Sequence, residues 1–177
     1  MRIHRLLLLS VTLGGSVVLA SEAELISDAR ATVETMRKKD ANLERFFKTA
    51  AGWAVFPTID KGGFIIGGAG GTGVLFEGGN AVGKTSMGQA SIGFQLGGQA
   101  YSELIFFENP GSLSDFKGGN FALDAQASAV ALSAGKAADA NYQRGVAVFT
   151  LTKAGLMYEA SVGGQKFGFE PFSKLPR

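Results

Sequence analysis

Beyond residue 51, seven adjacent glycine pairs punctuate this chain: Gly62-Gly63, Gly67-Gly68, Gly70-Gly71, Gly78-Gly79, Gly97-Gly98, Gly118-Gly119 and Gly163-Gly164. By contrast, Ser21 to Ala51 contains neither glycine nor proline. Glycine inside a regular element costs stability unless the backbone must bend sharply or another surface must come close. The pairs therefore predict short strands, many turns and a small, tightly curved sheet, in which 14 phenylalanines supply the bulk that glycine lacks. Long helices beyond residue 51 are excluded. With 177 residues, 46% of them apolar, the chain can bury one domain core and is no disordered polymer.

The front of the chain reads as two objects. Residues 1–20 combine Arg2, His4 and Arg5 with the apolar run Leu6 to Leu13 and end at Leu19-Ala20, the pattern of a cleaved secretory signal. Its apolar stretch is shorter than the roughly 20 residues of a spanning helix. The expected location of residues 21–177 is then a periplasm or the extracellular space, peripheral to an outer membrane. In the glycine-free segment 21–51, Leu25, Ile26, Ala29, Val33 and Met36 recur at helical steps, and Asp40 can cap a second short helix carrying Leu43, Phe46 and Phe47.

From Gly52 the apolar period shortens. Trp53 to Phe56 ends at Pro57, followed by Phe64 to Ile66, Val74 to Phe76, Ala90 to Leu96, Tyr101 to Phe107, Phe121 to Ala131, Val146 to Thr152 and Leu156 to Val162. The large side chains of Val146 to Thr152 do not keep to one parity, as in a strand buried on both sides or one lying in a closed or strongly curved sheet. Asn109 to Lys117, with Pro110 early and Gly118 after the end, predicts one inserted helix. The expected fold is α+β: amphipathic helices over residues 21–51 packed on a strongly curved, mostly antiparallel sheet over 52–172, open or barrel-like.

Composition excludes much chemistry. Without cysteine there is no disulfide, thiolate metal site, thiol nucleophile or cysteine-linked acyl anchor. The only histidine is His4, so residues 21–177 hold no imidazole base and no histidine metal ligand. Two phosphate motifs match by letter, Gly68 to Gly73 as G-x-G-x-x-G and Gly78 to Thr85 as G-x-x-x-x-G-K-T. Both require a helix to open after the glycine loop, and here strand-like or glycine-broken sequence follows. No nucleotide, nucleic acid, metal, cofactor or catalysis is expected.

The ordered motifs Ala51 to Pro57, Lys61 to Phe64, Gly68 to Val74, Ile92 to Gln99, Glu103 to Phe107, Leu113 to Phe116, Phe121 to Ala125, Val148 to Leu156 and Glu159 to Gly164 resemble the SYLF domain. The resemblance spans about Leu43 to Phe172. It implies binding of membrane lipids, phosphoinositides in particular, with actin binding in some eukaryotic members, and it makes the G-x-x-x-x-G-K-T stretch a loop between strands. The expected function is a non-catalytic envelope protein that meets anionic headgroups. The expected contacts are Arg37, Lys38 and Lys39 on the front helix and Lys61 and Lys84 in β turns. Two alternatives stand beside it: an assembly factor docking an envelope protein through its N-terminal helix, and a small outer-membrane β-barrel. The formal charge is +2, but Arg2 and Arg5 account for it, so residues 21–177 are neutral overall and attraction to anionic lipid must come from local clusters.

Overall fold

The computed structural model describes residues 13–61, 68–90, 100–123, 128–152, 160–161 and 164–172. Helix α1 (Leu13–Lys39) runs without a break across Ala20. It buries Ala29, Val33 and Met36, the stripe set by their three- and four-residue spacing. Its last turn holds Arg37, Lys38 and Lys39, favourably placed at the negative end of the helix dipole. Asp40 then leaves the helix in an extended conformation, and its carboxylate accepts from the backbone N–H of Asn42, capping a 3-10 turn over Ala41–Leu43 that leads into α2 (Glu44–Thr49).

The strands are β1 (Gly52–Lys61), β2 (Gly68–Glu77), β3 (Asn80–Ala90), β4 (Tyr101–Phe107), β5 (Ser128–Ala131), β6 (Val146–Thr152), β7 (Ala160–Ser161) and β8 (Gln165–Pro171), with α3 (Pro110–Lys117) after β4. They lie in the order β7-β5-β6-β4-β1-β2-β3-β8. Seven form the main ladder, the two-residue β7 hangs on β5, and β5 with β6 is the parallel pair in an otherwise antiparallel sheet. β2 and β3 are joined by Gly78-Gly79 with φ of 56° and 84°, a two-residue turn that needs left-handed backbone at both positions. At Gly73 a side chain would strike the Val55 carbonyl of the neighbouring strand, so that glycine serves close strand approach.

Both faces are buried. On one, α1, the 3-10 turn and α2 lay Met36, Leu43 and Phe46 on Val55, Val74, Leu104, Phe106 and Phe149. On the other, α3 packs Leu113 and Phe116 among Ala54, Leu75, Phe107, Val148 and Phe167. β4 is buried along its whole length, as is β6 from Val146 to Thr150. The sheet curls so tightly that Gln165 of β8 donates from Nε2 to Glu103 Oε2 of β4 at 3.0 Å although β1, β2 and β3 intervene.

The expected α+β architecture is met, with three differences. The sheet is not closed into a barrel: its order ends at β7 and β8, so the outer-membrane barrel lacks the edgeless ladder that a membrane requires. β1 does not end at Pro57 but continues to Lys61, because Pro57 falls where the register shifts against both neighbours, between Val55 and Thr58 toward β2 and between Phe56 and Ile59 toward β4. β8 and all of β3 before Ala90 are strands that no expected run covers. The expected strands at Phe64 to Ile66 and over most of Ala90 to Leu96 and Leu156 to Val162 lie outside the described residues. No helix among the described residues is long and apolar enough to cross a membrane.

Candidate functional site

Arg30 and Arg37 stand seven residues apart on α1, two turns on one face. That face looks onto an aromatic row supplied by β1, β2 and α2. The Arg30 guanidinium lies 5.4 Å from the Phe76 ring centre and that of Arg37 lies 4.0 Å from Phe47. Between them, Trp53 stacks on Phe76 at 6.0 Å and meets Phe47 edge-on at 5.1 Å. The result is a continuous strip, Arg30–Phe76–Trp53–Phe47–Arg37, in which Trp53 and Phe47 are half-buried and Arg30 is exposed. Arg37 also pairs with Glu34 at 3.3 Å and with Glu44 at 3.6 Å, tying α1 to the first turn of α2.

Of the residues expected to meet lipid, Arg37 belongs to this strip and Lys38 and Lys39 extend it. Both lysines are exposed and, among the described residues, form no ion pair. Lys61 and Lys84 are not in turns. Lys61 is the last residue of β1, and Lys84 sits inside β3, opposite Val74 on one side and Glu170 on the other. The reason is the two-residue turn at Gly78-Gly79, which releases Asn80 directly into strand, so the stretch expected as a loop is the beginning of β3. Arg30, Phe47 and Trp53 were missing from the expected site. The seven-residue interval between the two arginines was the available signal, and only the fold reveals the rings beneath them.

The phosphate-motif letters lie in extended structure: Gly68 to Gly73 are within β2 and Gly83 to Thr85 within β3. Neither opens a helix N-terminus. Among the described residues, no group of three or more His, Cys, Asp or Glu side chains could hold a metal ion.

One ionisable group stands out inside. Glu103 is completely buried, and burial pushes its carboxyl up to about 7, although the hydrogen bond from Gln165 opposes the shift. Tyr101, two residues along the same face, has its phenol pushed far above the ordinary range by burial and by the neighbouring Glu103. Glu103 Oε1, Gln165 Oε1 and Thr150 Oγ1 have no hydrogen-bond partner among the described residues. Sealed from solvent, this cluster is structural polarity within the core.

Residues 88–170, from the end of β3 to the end of β8, match the model of the family described as Ysc84, Las17-binding protein actin regulator. That segment is similar to the Ysc84 (SYLF) family. This is the family that the ordered motifs resemble, and it is a binding and regulatory domain associated with lipid binding and actin regulation. The match covers the strands that carry Glu103 and Gln165, while the arginine–aromatic strip lies N-terminal to it. No curated protein matches the chain.

Proposed function

We propose that this chain, similar over residues 88–170 to the Ysc84 family, is a non-catalytic, peripheral lipid-binding protein that meets anionic headgroups through the α1–α2 face. The observation that carries the reading is the strip itself. The chain's single tryptophan is half-buried beside Phe47, with Arg30 and Arg37 over the flanking rings and Lys38 and Lys39 following. Tryptophan prefers the membrane–water interface, where its ring is apolar and its N–H is wet, and each well-placed cation near an anionic surface contributes about 1 kcal/mol. The basic head and apolar run of residues 1–20 support an envelope location.

Co-sedimentation of the full chain with phosphatidylglycerol vesicles tests it. Binding should exceed that to phosphatidylcholine vesicles, weaken as salt rises, and fall at least tenfold in the Arg37→Glu, Lys38→Glu, Lys39→Glu triple variant. Equal binding to the two vesicle types, or a triple variant that binds as well as the parent, refutes the reading.

A further inference from the structure

A cavity of about 570 Å³ opens between the 121–123 segment, β5, the first half of β6 and the 139–144 loop, within the roughly 300–1,000 Å³ range of small-ligand sites. Its lining is segregated. Leu123, Ala129, Val146 and Val148 from one face of the sheet and Phe149 from the other, all buried, form the wall around the edge of β6. Asp139, Asn141, Gln143 and Arg144, all exposed, form the rim. Most of the site is remote in the chain from the arginine–aromatic strip, although Val130, Ala140, Ala147 and Phe149 of its lining belong to the same hydrophobic cluster.

Arg144 reaches that rim from an unfavourable backbone. Gln143 and Val146 exchange hydrogen bonds, Gln143 N–H to the Val146 carbonyl at 2.8 Å and Val146 N–H to the Gln143 carbonyl at 3.1 Å, around a two-residue turn. The central residues have φ of 51° at Arg144 and 82° at Gly145, and Arg144 is the non-glycine residue with positive φ among those described. Such turns favour Asn-Gly or Gly-Gly, because an ordinary side chain crowds its own carbonyl there. Retaining arginine in that slot places a permanently charged, five-donor group at the mouth of an apolar hole, and residues held in sparse backbone conformations cluster at ligand sites.

We propose that this cavity binds the chain of a single-chain anionic amphiphile, a long-chain fatty carboxylate being the simplest, with its headgroup held by Arg144. The apolar wall suits a ligand with an extended apolar part. The amide side chains of Asn141 and Gln143 add donors for carboxylate oxygens, and Asp139 on the same rim disfavours a multiply charged head. This goes beyond surface binding: it is a second site, for a ligand taken out of a bilayer rather than met at one.

The test uses the full chain without vesicles, following displacement of a fluorescent fatty acid by palmitate below its aggregation concentration, with hexadecanol as the uncharged comparison. Arg144→Asn installs the residue the turn prefers, so the melting temperature should hold or rise while palmitate affinity falls about tenfold and hexadecanol binding is unchanged. Ala129→Leu, which fills the wall, should weaken both ligands. Absence of palmitate binding by the parent, or an Arg144→Asn protein that binds palmitate like the parent, overturns the proposal. The Arg37, Lys38 and Lys39 charge-reversal variant separates the two readings. It should lose vesicle binding and keep palmitate, and loss of both would overturn the cavity site. Vesicle binding without palmitate binding would leave only the surface reading standing.

Discussion

At the residue scale, Glu103 sets how stability depends on pH. Its folded value of about 7 lies above the ordinary 4.5, so the folded chain holds this proton more tightly than the unfolded one. The associated stabilisation is complete below the unfolded value and is lost as pH rises through about 7, an effect on the order of 3 kcal/mol for a fully buried group. A proton on Oε1 also turns an unpartnered acceptor into a donor, with the unpartnered Thr150 Oγ1 directly opposite on β6. Glu103→Gln should therefore be nearly neutral at pH 5 and stabilising at pH 8, read from urea midpoints at the two pH values; a variant less stable at both would contradict the assignment. Sequence alone shows a glutamate in an apolar run, Tyr101 to Phe107, and its parity places it on the face of Tyr101 and Ile105. That Gln165 would answer it depends on the curl of the sheet, which no local pattern encodes.

At the scale of elements, the helical front is fastened to the β-rich body by polar contacts as well as by packing. Buried Asp40 accepts from the Asn42 N–H at 3.0 Å through Oδ1 and from the Ala137 N–H at 2.7 Å through Oδ2. Arg45 answers from α2, donating to the carbonyls of Ala137 and Ala140. Burial alone would raise the Asp40 carboxyl, but the N–H donors of Ala137 and Asn42 outweigh it and hold the group below its ordinary range. Its stabilisation is thus present above that range and fades as pH falls through the lowered value. Asp40→Ala should cost about 1–3 kcal/mol by leaving a buried N–H unanswered, with Asp40→Asn milder, as thermal melts at neutral pH will show. The capping role of Asp40 was legible, as were α3 with Asn109 and Pro110 at its start, β4, and β6 as a strand whose side chains favour no single face. What escaped were contacts distant in sequence: the tie to Ala137, the passage of β1 through Pro57, and β8, where Lys166, Gly168 and Glu170 dilute the signal of Phe167 and Phe169.

At the scale of the whole molecule, the sheet order interleaves the two halves of the chain. The family-matched residues 88–170 carry β4 to β7 and nearly all of β8, yet β1 and β2, which join β4 to β3 in the sheet, lie before them. A fragment of residues 88–170 should consequently lack the far-ultraviolet circular dichroism and cooperative melting of the full chain; a cooperatively folded fragment would show that the matched segment stands alone. The same scale governs charge. Because residues 21–177 are neutral overall, salt should act on membrane binding through the α1–α2 face and not through a general field around the protein.

The seam between β3 and β8 also fixes when this protein can become itself. During synthesis β8 emerges after every other strand, and until it arrives β3 has an unpaired edge and Glu103 has no Gln165. The sheet is therefore completed, and the buried glutamate answered, only by the last strand to be made.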